Sequence, residues 1–303
     1  MNKTLPLLLA LALLGCDESS DPADSGTSAG DAGQDAGPPP QPTAPVLPEV
    51  TGTCPDMSQT GVVTFSPEGI GPRDVQLYVS EAAADSDGPF VTYWHGAGSQ
   101  PQEAVYGMGS IMDSVLAAGG IVAAPVSNPE AGLLPWFLTS GVRLDDLILA
   151  DEILACAVAG PGVDVTRIHA MGMSAGGLHT SQMAFRRASY LASVAIYSGG
   201  LLPTSRAPRS DGSNNRLPVL MFHGGPTDIV AIRFDDASRD LWDALDDRGH
   251  TAIICDHNRG HIIPTEAQPD IQLFFDTHPF GTVPSPWRDT LPNGFYDVCA
   301  LAP

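Results

Sequence analysis

Serine, aspartate and histidine each stand in a turn that follows an extended, apolar run. Ser174 lies in Gly172-Met173-Ser174-Ala175-Gly176-Gly177, after the run Ile168–Met171 and before a stretch with helical spacing. A serine hydroxyl is a weak nucleophile until a neighbouring base takes its proton. On a sharp strand-to-helix turn, a serine between small residues is pushed clear of the sheet edge, and the following amide points at the same centre. His261, preceded by Gly260, is the candidate base, with His257 as runner-up because it lies nearer the strand end. Asp228 closes the turn His223-Gly224-Gly225-Pro226-Thr227-Asp228 and is the candidate that orients the imidazole; Asp235 and Asp236 fall in the helical stretch that follows. Trp94-His95-Gly96-Ala97-Gly98-Ser99 forms a second glycine-rich turn. Acyl transfer needs two backbone donors for the developing oxyanion. Ala175 supplies one and Ala97 is the best candidate for the other, with Gly96 and Gly98 close behind, whereas His95 reads as structural. This chemistry requires no metal and no cofactor.

These turns need a scaffold of alternating strands and helices. Eight β-branched or aromatic runs are expected to be strands: Val62–Phe65, Val75–Val79, Phe90–Trp94, Ile121–Val126, Ile168–Met171, Val194–Tyr197, Val219–Phe222 and Thr251–Cys255. The first two read as an antiparallel pair. From the third onward, helical stretches separate them, the clearest being Leu144 to Val158, with Asp145 and Asp146 at its dipole-favoured start. Strands alternating with helices imply a mostly parallel sheet, whose carboxyl strand ends form the binding crevice.

The chain order Ser174, Asp228, His261 is that of the α/β-hydrolases. From about Phe90 to Pro264 the sequence resembles the secreted poly(3-hydroxybutyrate) depolymerase and feruloyl esterase type of that fold. The matching pieces are His95-Gly96-Ala97-Gly98, Pro135-Trp136-Phe137, Asp145-Asp146, Val163-Asp164-Val165-Thr166-Arg167-Ile168 with the elbow, His223-Gly224 with Asp228, and Gly260-His261. The resemblance implies an α/β-hydrolase fold with an eight-stranded, mostly parallel sheet, helices on both faces and no large cap domain. It implies a serine esterase with Ser174, Asp228 and His261 as its triad, and it puts Trp136 near the mouth of the site as a substrate-binding aromatic for an acyl or phenolic group, with core packing as the alternative. Ala97 stands where that family often has a cysteine, which leaves an amide donor intact. In this topology the first and last strands lie at opposite sheet edges, so the resemblance favours the pairings Cys54–Cys156 and Cys255–Cys299. A small or polymeric ester is the implied substrate and a monomer is expected. The competing readings are a peptidase of the prolyl-oligopeptidase kind and a non-catalytic binding lipoprotein.

The remaining sequence concerns address rather than chemistry. Lys3 and the run Leu5–Leu14 have the form of a signal peptide, too short for a bilayer span. Leu13-Leu14-Gly15-Cys16 resembles a bacterial lipobox, which implies cleavage before Cys16 and a lipid on its sulfur, hence a membrane anchor on the periplasmic or cell-surface side. Residues 17–50 are rich in Asp, Ser, Gly, Ala and Pro without Lys or Arg, and read as a disordered linker. The boundaries expected are therefore a leader at 1–15, a lipidated cysteine and linker at 16–50, and a catalytic domain at 51–303. With 35 Asp+Glu against 14 Lys+Arg and a net charge of −21, the chain is unsuited to nucleic acid. Four cysteines after Cys16, an even number in an exported chain, are consistent with two disulfides.

Overall fold

The structure is a computed structural model and describes residues 40–84, 86–138, 143–203 and 207–301. The expected leader, Cys16 and the linker up to residue 39 lie outside the described residues. From Gln41 the chain already follows the domain surface: Gln41 Oε1 accepts the Arg216 N–H at 3.0 Å, and the Val46 N–H donates to the Ser189 carbonyl at 2.8 Å. Residues 41–50 are thus seated on the domain.

The main sheet contains β1 (Gly61–Phe65), β2 (Arg73–Val79), β3 (Phe90–Trp94), β4 (Ile121–Pro125), β5 (Ile168–Met173), β6 (Ser193–Tyr197), β7 (Val219–His223), β10 (Ala252–Asp256) and β11 (Cys299–Leu301). Its order is β1-β2-β4-β3-β5-β6-β7-β10-β11, and the two-residue strands β8 (Ile229–Val230) and β9 (Ile232–Arg233) form a separate ribbon. The pairs from β4 through β10 are parallel, while β1–β2, β2–β4 and β10–β11 are antiparallel. The sheet has nine strands, where eight were expected from the sequence. The ninth, β11, spans three residues, too few for an alternating pattern. Its register puts Cys299 opposite Cys255, and the two form a disulfide.

The helices are α1 (Glu103–Met108), α2 (Ser110–Ala117), α3 (Asp145–Ala159), α4 (Ala175–Arg186), α5 (Phe234–Asp246) and α6 (Gln268–Thr277). They cover both faces of the sheet, which is why its central strands are buried at every position. Strand alternation still sorts the side chains. Phe90 and Trp94 of β3 join the core of α3, α4 and α5, while Val91 and Tyr93 join that of α1, α2 and α6. A second disulfide, Cys54–Cys156, ties the segment before β1 to α3. Both pairings agree with the expected ones. The described residues between β6 and β7 form no helix or strand.

Candidate active site

The elbow between β5 and α4 is built by exclusion of volume. Ser174 has φ 58° and ψ −118°, a conformation that L-residues adopt only when their surroundings impose it. A Cβ on Gly176 would stand 1.7 Å from the Trp94 carbonyl oxygen, and one on Gly172 would stand 2.4 Å from that of Gly176. A Cβ on Gly177 would meet the Tyr197 carbonyl oxygen at 2.6 Å. Only glycine lets α4 start this close to β3 and β6. The Ser174 N–H donates to the Tyr197 carbonyl at 2.9 Å and locks the turn to β6.

His261 reaches this elbow from the loop after β10. Its Nε2 lies 2.9 Å from Ser174 Oγ, and its Nδ1–H donates to Asp228 Oδ1 at 2.6 Å. The loop is pinned at Gly260, whose N–H donates to the Gly224 carbonyl at 2.9 Å. A Cβ on Gly224 would be 1.9 Å from the Gly260 carbonyl oxygen, so the two turns touch backbone to backbone. Phe234, the first residue of α5, stacks on the imidazole with ring centres 4.8 Å apart.

Asp228 is fully buried. Besides His261, its carboxylate accepts the Gly224 N–H at 2.9 Å and the Ser198 hydroxyl at 2.8 Å. Burial pushes its pKa up, but hydrogen bonds from His261, Gly224 and Ser198, with the attraction of His261, hold it below the ordinary carboxylate value. The structure therefore brings Ser174, His261 and Asp228 into one hydrogen-bonded line. His257 is buried apart from that line, and neither of its ring nitrogens meets a partner among the described residues. Asp235 pairs instead with Arg233. Ser198 escaped the sequence reading; its signal was its place at the carboxyl end of β6.

The turn after β3 lies against the nucleophile, since a Cβ on Gly96 would come 3.4 Å from Ser174 Cβ. Of the three candidate amides there, that of Gly96 is already engaged by Glu103 Oε1 at 3.0 Å. Ala97 is exposed. His95 is buried and structural: its Nδ1–H donates to the Gly96 carbonyl at 2.8 Å, while Nε2 lies 3.2 Å from Ser127 Oγ. Burial lowers its pKa and so favours the neutral imidazole, which can make both bonds.

Trp136 takes the core-packing alternative and not the substrate-binding one. It is 1% exposed, packs edge-on against Trp94 at 4.9 Å and donates its Nε1–H to the His95 carbonyl at 2.9 Å. A buried indole offers no face to a substrate, so Trp136 braces the turn from within. Its own loop is anchored by buried Asp146, which accepts the Phe137 N–H at 2.7 Å and pairs with Arg73 at 2.9 Å.

No protein-family model matches the chain, and no curated protein matches it. Solved structures are similar. Native pOPH superposes with a TM-score of 0.60 over 82% of this chain and 96% of its own, at 16% identity. A ferulic acid esterase gives 0.54 over 73% and 98%, at 17% identity. The Bacillus cereus carboxylesterase gives 0.50 over 67% and 93%, at 17% identity. Together with the sheet order and the elbow, these likenesses establish that the chain has the α/β-hydrolase fold.

Proposed function

We propose that this protein is a serine hydrolase that cleaves carboxylic esters, resembling the poly(3-hydroxybutyrate) depolymerase and feruloyl esterase type. The observation that supports it most is the unbroken line from Ser174 Oγ to His261 Nε2, and from His261 Nδ1 to Asp228 Oδ1, at 2.9 and 2.6 Å. The esterase names of the similar structures support the choice of ester over other acyl substrates.

In the mechanism, His261 Nε2 takes the Ser174 proton as Oγ attacks the ester carbonyl. The Ala97 and Ala175 amides hold the oxyanion. Asp228, its pKa lowered, stays ionised and stabilises the imidazolium through Nδ1–H. His261 returns the proton to the departing alcohol, and water then releases the acyl group from Ser174 by the same steps. Ile229 and Val230, which follow Asp228 in sequence, and Ile262, which follows His261, are exposed large apolar residues. They favour an apolar acyl or polymer chain over a charged one.

The reading includes export as a lipoprotein. Two disulfides support passage through an oxidising compartment. The lipid is placed on Cys16 by its lipobox-like context, with the acidic segment after it as tether. Metabolic labelling with a fatty-acid probe is expected to mark the wild type and not C16S; equal labelling of both removes the anchor from the reading.

The central test is fluorophosphonate labelling together with turnover of short-chain p-nitrophenyl esters. Wild type is expected to label and to turn over ester, and S174A to do neither. Labelling that persists in S174A, or peptide turnover without ester turnover, overturns the assignment.

A further inference from the structure

We propose that Glu103 is a positioning residue for the oxyanion-binding turn, holding the Gly96 backbone so that the Ala97 N–H faces the acyl oxygen at Ser174; this rests on the hydrolase reading above. Side chains grip the His95–Gly96 peptide at both ends. Its carbonyl accepts the Trp136 Nε1–H at 2.9 Å, and its N–H donates to Glu103 Oε1 at 3.0 Å. In the next peptide, the Gly96 carbonyl accepts His95 Nδ1–H at 2.8 Å and the Ser99 N–H at 3.2 Å. A planar trans peptide directs its N–H opposite to its carbonyl. Fixing the Gly96 carbonyl therefore fixes the direction of the Ala97 N–H.

Glu103 stands close enough for this to matter. A Cβ on Gly96 would lie 3.4 Å from Ser174 Cβ and 3.6 Å from Glu103 Oε2, so a single glycine separates carboxyl group and nucleophile. The carboxyl group is itself held, because the buried Tyr93 hydroxyl donates to the same Oε1 at 3.1 Å. The helix that carries it, α1, has only six residues and little rigidity of its own. Tyrosines supply the rigidity from below. The Tyr197 hydroxyl donates to the Gly107 carbonyl at 3.1 Å, and a Cβ on Gly107 would collide with the Tyr93 hydroxyl at 2.1 Å. An oxyanion site works by donors set before the reaction starts. Without Glu103 the His95–Gly96 peptide keeps only the Trp136 bond to its carbonyl, so the adjoining Ala97 amide is held less firmly in its direction. What the position requires is an acceptor oxygen, which glutamine also presents and alanine does not.

The test compares E103A and E103Q with wild type on a p-nitrophenyl ester, with a trifluoromethyl ketone as mimic of the tetrahedral intermediate. E103A is expected to lose about 10- to 100-fold in kcat with KM within about twofold, and to bind the ketone more weakly by a similar factor. E103Q is expected to recover kcat to within about fivefold of wild type. The Gly96 amide proton should resonate downfield in wild type and E103Q and move upfield in E103A. An intact kcat in E103A, a loss in E103Q equal to that in E103A, or a rise in KM that accounts for the loss overturns the proposal. An unmoved Gly96 amide in E103A overturns it whether or not wild type is active. Absence of ester turnover by wild type overturns the hydrolase reading instead.

Discussion

Around Ser174 the chain is confined by space; around Asp228 it is confined by hydrogen bonds to a buried charge. On the first side, three glycines let α4 approach β3, β5 and β6 so closely that added carbons would fall 1.7 to 2.6 Å from other backbone atoms. On the second, a fully buried carboxylate is held by the Gly224 N–H, the Ser198 hydroxyl and His261 Nδ1–H. The two constraints fail differently. Steric confinement is all-or-none, because a methyl group fits or does not. Polar confinement is graded, because each bond contributes separately to the position and ionisation of the acid.

The largest effect is expected where charge is removed from the polar side. D228N keeps the shape but presents an amide to His261 Nδ1 and favours the wrong imidazole tautomer. A fall in kcat of about 10⁴-fold, with the melting temperature little changed, is expected from steady-state ester kinetics and calorimetry. A loss below tenfold would show that Asp228 does not orient His261. Next comes the steric side. G176A places a methyl carbon 1.7 Å from the Trp94 carbonyl oxygen, against backbone that cannot rotate aside. A destabilisation of about 3 kcal/mol or more is expected by chemical denaturation, with fluorophosphonate labelling lost in parallel. A G176A protein of wild-type stability would remove the distinction between the two halves.

The difference also explains what the sequence made legible. Steric demands are local, so Gly172, Gly176 and Gly177 announce the elbow within six residues. Strand-end turns likewise expose Asp228 and His261 as candidates, because an α/β sheet gathers its carboxyl ends along one edge. The polar supports are not local. Ser198 reads as the first residue of a Ser-Gly-Gly loop, and only its meeting with Asp228, thirty positions away, gives it meaning. Glu103 reads as an ordinary acid at a helix start until the Gly96 N–H is seen on it. The resemblance draws Trp136 toward the mouth of the site, whereas its burial against Trp94 and its bond to the His95 carbonyl are properties of packing. The short strand β11 is joined to β10 by the Cys255–Cys299 disulfide and carries no periodic signal.

A graded polar side predicts a graded loss. S198A removes one bond to Asp228 and leaves those from Gly224 and His261 in place. A fall in kcat of about tenfold is expected, consistent with one hydrogen bond to a charged group. That bond also helps hold the Asp228 pKa below its ordinary value. Its removal raises the pKa, so the loss should deepen as pH falls, which a pH profile of kcat/KM will read. An S198A enzyme with wild-type kcat at every pH would mean that two bonds suffice and the polar side is as all-or-none as the steric one.

The smallest effect belongs to His179, which lies beneath the elbow in α4. Its ring centre is 4.2 Å from that of Trp94, and neither nitrogen meets a partner among the described residues. Burial, offset in part by Asp146, lowers its pKa from 6.5 to about 4. Between those values the unfolded chain binds a proton at this position that the native protein does not. Stability therefore falls as pH falls from 6.5 toward 4, by up to about 1.4 kcal/mol per pH unit from this residue. His179→Leu removes the titrating group and fills the site with apolar atoms. Its stability at pH 7 is expected within about 1 kcal/mol of wild type, since a buried polar group without a partner contributes little. Urea denaturation at pH 7 and pH 5 should show the variant losing less stability on acidification than wild type. An unchanged pH slope would assign the acid lability to the other buried histidines, among them His169 and His278, whose pKa values burial lowers to about 3 and about 4. It would also mean that His179 is protonated at pH 5 in the native protein, and that the core under the elbow admits a charge.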